Sequence, residues 1–186
     1  MSALSHLTVF TGSATGADLD YQQEVRRLGR VLAEEGIGVV YGGGRVGLMG
    51  HIADAALEAG GEVRGVIPQV LVEREVAHPG LTHLDVVADM HERKKAMADH
   101  GDAFIALPGG MGTLEEFFEA WTWQYLNIHT KPVGLYNVKG FWDPLLAMVD
   151  HMVAEGFMAE WRRDALVISD EPQELIARLR AWEMPR

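Results

Sequence analysis

The 186-residue chain contains no cysteine, which excludes disulfides, thiolate metal sites and cysteine nucleophiles together. Basic residues are scarce. Sixteen lysines and arginines stand against twenty-seven aspartates and glutamates, a formal charge of −11. That balance argues against a nucleic-acid surface, which shows as a basic excess. It leaves room for a small anion, because backbone amides and one or two arginines can hold a phosphate locally. No apolar run approaches the roughly 18 residues of a membrane span. Residues Met1 to Phe10 lack the basic start and long apolar stretch of a signal peptide. A cytoplasmic protein that contacts neither membrane nor nucleic acid is the expectation.

Several catalytic signatures are also missing. His91-Glu92-Arg93-Lys94-Lys95 carries a lysine where an HExxH motif needs its second histidine, so no metal site is expected. Gly12-Ser13-Ala14-Thr15-Gly16 is not the GxGxxG fingerprint, and Tyr41-Gly42-Gly43-Gly44 brings no carboxylate for a ribose 2′-hydroxyl. A nicotinamide dehydrogenase is therefore disfavoured. Gly42 to Gly50 lacks the Gly-Lys-Ser/Thr of a P-loop, and no GxSxG elbow surrounds Ser13.

What is present is a core and a rhythm. Apolar residues make up 48% of the chain, enough for one globular domain spanning residues 1–186. Strand-like runs at 7–10, 37–41, 63–67, 84–87, 103–107, 132–136 and 166–169 alternate with stretches of helical period. These cover 19–35, 48–59, 90–100, 113–125, 144–154 and 172–182. Between 69 and 82 the sequence reads as a loop with one helical turn. Strict alternation predicts an α/β, Rossmann-like open parallel sheet with helices on both faces. In such a sheet ligands bind beyond the carboxyl ends of the strands, where every strand-to-helix turn lies. The glycine-rich turns Gly12–Gly16, Gly42–Gly47 and Gly109–Thr113 then face one crevice. Glu75, Met90, His91 and Arg93 start from the same edge.

The richest of these turns is Leu107-Pro108-Gly109-Gly110-Met111-Gly112-Thr113-Leu114-Glu115-Glu116. Its glycines remove Cβ obstruction, and the helix behind it aims unpaired amides and a positive dipole end at the loop. The expectation is a phosphate cradle with the Glu116 carboxylate beside it. Thr113-Leu114-Glu115-Glu116 also matches a capping box, which accounts for Thr113 and Glu116 without any ligand. It does not account for Pro-Gly-Gly-x-Gly ahead of it. Along the helix, Leu114, Phe117, Phe118, Trp121 and Tyr125 form a core stripe, and Trp123, outside that stripe, is expected at a subunit contact. The whole suits a mononucleotide: one phosphate at a helix start and polar groups for the ribose.

The stretches Val40–Gly44 with Gly47–Gly50, Met90–Lys94 and Pro108–Glu116 resemble the LONELY GUY (LOG) family, whose older members carry the label lysine decarboxylase-like. Trp121-Thr122-Trp123 and Lys131-Pro132-Val133-Gly134 extend the resemblance over nearly the whole chain. It implies a Rossmann-like fold, at least a homodimer, and hydrolysis of cytokinin riboside 5′-monophosphates to free base and ribose 5-phosphate. Adenosine monophosphate is implied as a second substrate, and no cofactor is implied. The resemblance carries a catalytic arginine onto Arg93 and a catalytic glutamate onto Glu116. It places the 5′-phosphate on Gly109, Gly110, Met111, Gly112 and Thr113, and adds Glu75, Met90, Lys94, Glu115 and Thr122 to the pocket. Gly12, Ser13, Gly43 and Gly44 of the first two turns are counted with the binding residues. Many members have Cys-Gly-Ser-Ser where this chain has Thr11-Gly12-Ser13-Ala14, so the part played by the first turn stays open.

Two other readings stand beside the hydrolase. A nucleotide-binding or carrier protein of the same fold needs no turnover; the joint presence of Arg93 and Glu116 favours the enzyme. An amino-acid decarboxylase needs a lysine to anchor pyridoxal phosphate. The chain has only Lys94, Lys95, Lys131 and Lys139, none in an anchoring motif.

Overall fold

The structure, a computed structural model, describes residues 4–72 and 77–184. Seven strands form one sheet: β1 (His6–Phe10), β2 (Gly38–Tyr41), β3 (Val63–Pro68), β4 (His83–Val87), β5 (Ala103–Ala106), β6 (Val133–Tyr136) and β7 (Val167–Ser169). Every pairing is parallel, in the order β4-β3-β2-β1-β5-β6-β7. The α-helices among the described residues are α1 (Leu19–Glu34), α2 (Gly47–Glu58), α3 (Gln69–Val72), α4 (Met90–His100), α5 (Met111–Tyr125), α6 (Asp143–Ala154), α7 (Glu160–Asp164) and α8 (Pro172–Ala181), with a 3-10 turn at Val138–Gly140.

Two apolar cores sandwich the sheet, as the continuous hydrophobic strands require. Val25, Leu28, Val31 and Leu32 of α1 pack with α2 and α8 on one face, around Leu7, Val9, Val39 and Ile105. Met97 of α4, Phe117 and Trp121 of α5 and Leu146 of α6 cover the other face, around Phe10, Val40, Phe104 and Leu135. Tyr125, expected in the core stripe, is 47% exposed. It instead lies under the guanidinium of Arg162 from α7, a short helix the sequence reading did not anticipate.

The strand order reverses between β1 and β5, whose ends open the crevice that this topology reserves for ligands. Register aligns the tips. Phe10 pairs with Ala106, and Tyr41 pairs with Gly65, so Gly42 and Val66 follow side by side at the ends of β2 and β3.

Candidate active site

The three glycine-rich turns meet at that edge, but only the third leads into a helix whose first three amides are all without a partner among the described residues. The N-terminus of α2 is closed from within: Leu48 N–H donates to the Ala14 carbonyl (3.2 Å) and Met49 N–H to the Gly12 carbonyl (3.4 Å). This contact brings Gly47, at φ +59°, so near the first turn that a Cβ would stand 2.2 Å from the Ser13 carbonyl carbon. The first turn in its turn touches the third: Gly12 N–H donates to Pro108 O (3.3 Å), as does the Thr11 hydroxyl (3.3 Å). These glycines serve contact between loops.

The start of α5 is different. The helix begins at Met111, two residues before the expected start, with Gly110 as a cap that has no side chain to offer. The capping box that Thr113–Glu116 match in sequence, the alternative to the ligand reading, therefore does not form; Thr113 lies inside the first turn and is buried. The Leu114 amide is satisfied by Gly110 O, while those of Met111, Gly112 and Thr113 have no hydrogen-bond partner among the described residues. At Gly110 and Gly112 a Cβ would meet nothing within 4 Å. A helix mouth with free amides and open space is the local design for an anion.

A reciprocal cap does form on α4. The Asp89 carboxylate accepts from the amides of His91 (2.8 Å) and Glu92 (2.9 Å), and the Glu92 carboxylate accepts from Ala88 N–H (2.9 Å). The amide hydrogen bonds, with Glu92 first and His91 next, hold the Asp89 carboxyl below its ordinary range. Fixed in this way, the first turn of α4 delivers Arg93 across the tips of β3 and β2. Its Nε donates to Val66 O (3.1 Å) and its Nη2 to Gly42 O (3.2 Å). Nη1 remains, 3.6 Å from Glu116 Oε1 and 3.7 Å from Met90 Sδ. Arg93 and Glu116 are both nearly buried, at 10% and 12% side-chain exposure, so their charges act in a weakened solvent screen. Burial pushes the Glu116 carboxyl above its ordinary range, and the Arg93 guanidinium opposes that shift.

Between these groups lies a cavity of about 280 Å³. Val9, Thr11, Gly12, Ser13, Gly42 and Met49 line one side; Gly110, Met111, Gly112 and Thr113 line the other, with Arg93 and Glu116 facing in. A second hollow of about 250 Å³, walled by Tyr21, Leu48, Pro108 and Phe141, shares Gly12, Ser13 and Gly110 with it. The cavity thus unites Arg93, Glu116, Gly12, Ser13, Gly110, Met111, Gly112 and Thr113 of the expected site. Gly109 lines the second hollow and Met90 touches Arg93.

Other expected residues lie elsewhere. Gly43 packs on Ile67, and neither it nor Gly44 lines the cavity. Lys94 Nζ is bound to Glu115 (2.6 Å) and Glu119 (3.0 Å). Thr122 is exposed on α5 and lines a separate hollow of about 310 Å³ with Phe118, Phe157 and Arg162. His91 is exposed, and Glu75 lies outside the described residues. Val9, Thr11, Gly42 and Met49 line the cavity without having been named as binding residues, although the turn Gly42–Gly47 is expected at this crevice from the strand-tip rule.

The decarboxylase reading fails on its lysines. Lys94 is paired as above, Lys95 binds Asp99, Lys131 binds the Ala98 carbonyl, and Lys139 binds Asp18 and Asp20. None lines the cavity.

Known proteins resemble this chain in sequence and in fold. A family model described as "possible lysine decarboxylase" matches residues 49–179. The cytokinin riboside 5′-monophosphate phosphoribohydrolase of Rhodococcoides fascians is 47% identical over 176 residues, covering 94% of this chain and 89% of that protein. The LOG enzyme of the same name from Oryza sativa subsp. japonica is 47% identical over 181 residues, 97% of this chain and 75% of that protein. Among solved structures, the molybdenum cofactor binding protein of Rippkaea orientalis matches with a TM-score of 0.73 at 23% identity, over 97% of this chain and 98% of that one. At that identity the likeness concerns the fold alone.

Proposed function

The chain belongs to the LOG family, and from that membership we propose that it is a phosphoribohydrolase acting on cytokinin riboside 5′-monophosphates and adenosine monophosphate. The products are the free base and ribose 5-phosphate. Water adds to C1′, the bond from C1′ to the base nitrogen breaks, and a proton passes to the departing base.

The observation that carries the reading is a buried arginine and a nearly buried glutamate facing one cavity, 3.6 Å apart, beside a helix mouth with three amides that have no partner among the described residues. The 5′-phosphate sits on the amides of Met111, Gly112 and Thr113, where dipole and hydrogen bonds favour a dianion. That seat places the sugar beside Glu116. Cleavage of an N-glycosidic bond passes through an oxocarbenium-like state with positive charge near C1′. An ionised Glu116 stabilises that charge and orients the attacking water. Arg93 stabilises negative charge as it develops on the leaving base.

The joint presence of this pair favours an enzyme over a carrier of the same fold. Release of adenine from adenosine monophosphate, followed by chromatography, tests the reading. Glu116→Gln and Arg93→Ala are each expected to lower turnover about a hundred- to thousandfold while leaving the circular dichroism spectrum unchanged. Near-wild-type turnover in either variant would remove that residue from the chemistry. We infer further that the protein works in the cytoplasm as a homodimer; no helix among the described residues is long and apolar enough to cross a membrane.

A further inference from the structure

We propose that Gly42 is a positioning residue for Arg93: the missing side chain at the end of β2 is the space in which the guanidinium is locked. Arg93 reaches Gly42 from α4, past the tip of β3, and is held at two points on the way. Nε is bound to the Val66 carbonyl and Nη2 to the Gly42 carbonyl, so the guanidinium lies across the two strand ends and only Nη1 is left toward Glu116.

A Cβ on Gly42 would stand 1.8 Å from Nη2 and 3.0 Å from Cζ. Nη2 is the far end of a flexible side chain and can move aside, but only by leaving the Gly42 carbonyl, and the planar guanidinium then carries Nη1 with it. Any side chain at this position therefore expels the cation from its seat. Backbone conformation does not require glycine here. Gly43 and Gly47 have positive φ, whereas Gly42 does not. Alanine fits the backbone at Gly42, and its one conflict is with Arg93.

The seat matters because a charge fixed before the reaction stabilises a developing charge without reorganisation, and a displacement of about 1 Å can cost on the order of a hundredfold in rate. Gly42 touches no reacting atom in this account. It acts through Arg93.

The proposal rests on the reading of Arg93 as a catalytic contact, and a double-variant cycle with two readouts separates the two ideas. Gly42→Ala is expected to lower turnover of adenosine monophosphate at least about tenfold. It is also expected to move the acid limb of the pH–rate profile upward, since the charge that opposes the burial of Glu116 is displaced. In the Arg93→Ala background the same substitution should change turnover by less than about twofold, because the collision has gone. The second readout is thermal melting, which needs no activity. Gly42→Ala should lower the melting temperature in the otherwise native chain and leave it unchanged or raised beside Arg93→Ala. Equal losses of melting temperature in both backgrounds would overturn the proposal, as would native turnover in Gly42→Ala. If the native protein releases no base at all, the catalytic reading falls, while the melting cycle still decides whether Gly42 seats Arg93.

Discussion

Glu116 shows how a site residue is kept against the preference of its surroundings. Its carboxyl is pushed upward by burial, and Arg93 at 3.6 Å recovers only part of that cost. A group whose folded pKa lies above its unfolded value favours the protonated form in the native state. The stability it contributes is full below the unfolded pKa and is lost as pH rises through the folded one. At neutral pH the ionised carboxylate is therefore a burden on the fold, consistent with a trade of stability for function. Glu116→Gln imitates the protonated side chain. We expect it to melt above the native protein at about pH 8, with the difference closing as pH falls toward about 4. A variant that melts lower at every pH would mean that pairing with Arg93 outweighs burial. Both members of this pair were legible as residues: Arg93 lies at the start of the helix after β4, Glu116 lies about one turn inside the helix after β5, and the family resemblance implied their roles. Their arrangement was not. The carbonyls that hold Arg93 are 27 and 51 positions away in the chain, and nothing local encodes them.

At the scale of elements, the two helix starts at the crevice should respond in opposite ways to alanine. Gly112 lies in the first turn of α5 with open space where a Cβ would go. Alanine there removes the helix penalty of glycine, about 0.5–1 kcal/mol, and should raise the melting temperature by roughly 2–4 °C. The same methyl intrudes where the phosphate sits, so the KM for adenosine monophosphate should rise about tenfold, the equivalent of roughly 1.4 kcal/mol. At Gly47, alanine meets both a positive φ and the Ser13 backbone. Strain of about 1–3 kcal/mol from the backbone alone should lower the melting temperature by roughly 5 °C or more. An unchanged KM in Gly112→Ala would place the phosphate elsewhere. Alternation of strands and helices was readable from period alone, and α4 was bounded correctly because Asp89 and Glu92 cap it locally. The start of α5 was not, since Thr113 looks like a cap in sequence; Gly110 takes that position, and Thr113 is buried against Gly109. The helix α7 was missed because five residues, Glu160–Asp164, are too few to show a period.

Over the whole molecule, the two cores account for most large apolar side chains, because successive residues of each central strand feed opposite faces: Val39 and Tyr41 one, Val40 the other. Among the large apolar side chains left exposed, one group lies at the end of α5 and in the turn after α6. Tyr125, Leu126 and Ile128 at the end of α5 are 47%, 56% and 63% exposed, and Phe157, in the turn between α6 and α7, is 88% exposed. Tyr125 and Phe157 border the same hollow of about 310 Å³ as Thr122. Trp123, expected at a subunit contact, is half-buried and borders a small hollow with Phe10, Lys94 and Phe104, whereas Tyr125, Leu126, Ile128 and Phe157 offer more exposed apolar surface for such a contact. An apolar patch of this kind is best covered by a surface that is itself apolar. A second copy meets that need by two-fold symmetry, each patch covering the other. Light scattering should therefore give twice the 20.5 kDa chain mass. Phe157→Asp should shift the mass toward one chain, since it sets like charges across the symmetry axis, and should leave the circular dichroism spectrum intact because Phe157 belongs to neither core. A native protein that runs as a single chain at every concentration would end the dimer reading. A variant that stays paired would move the interface to another face.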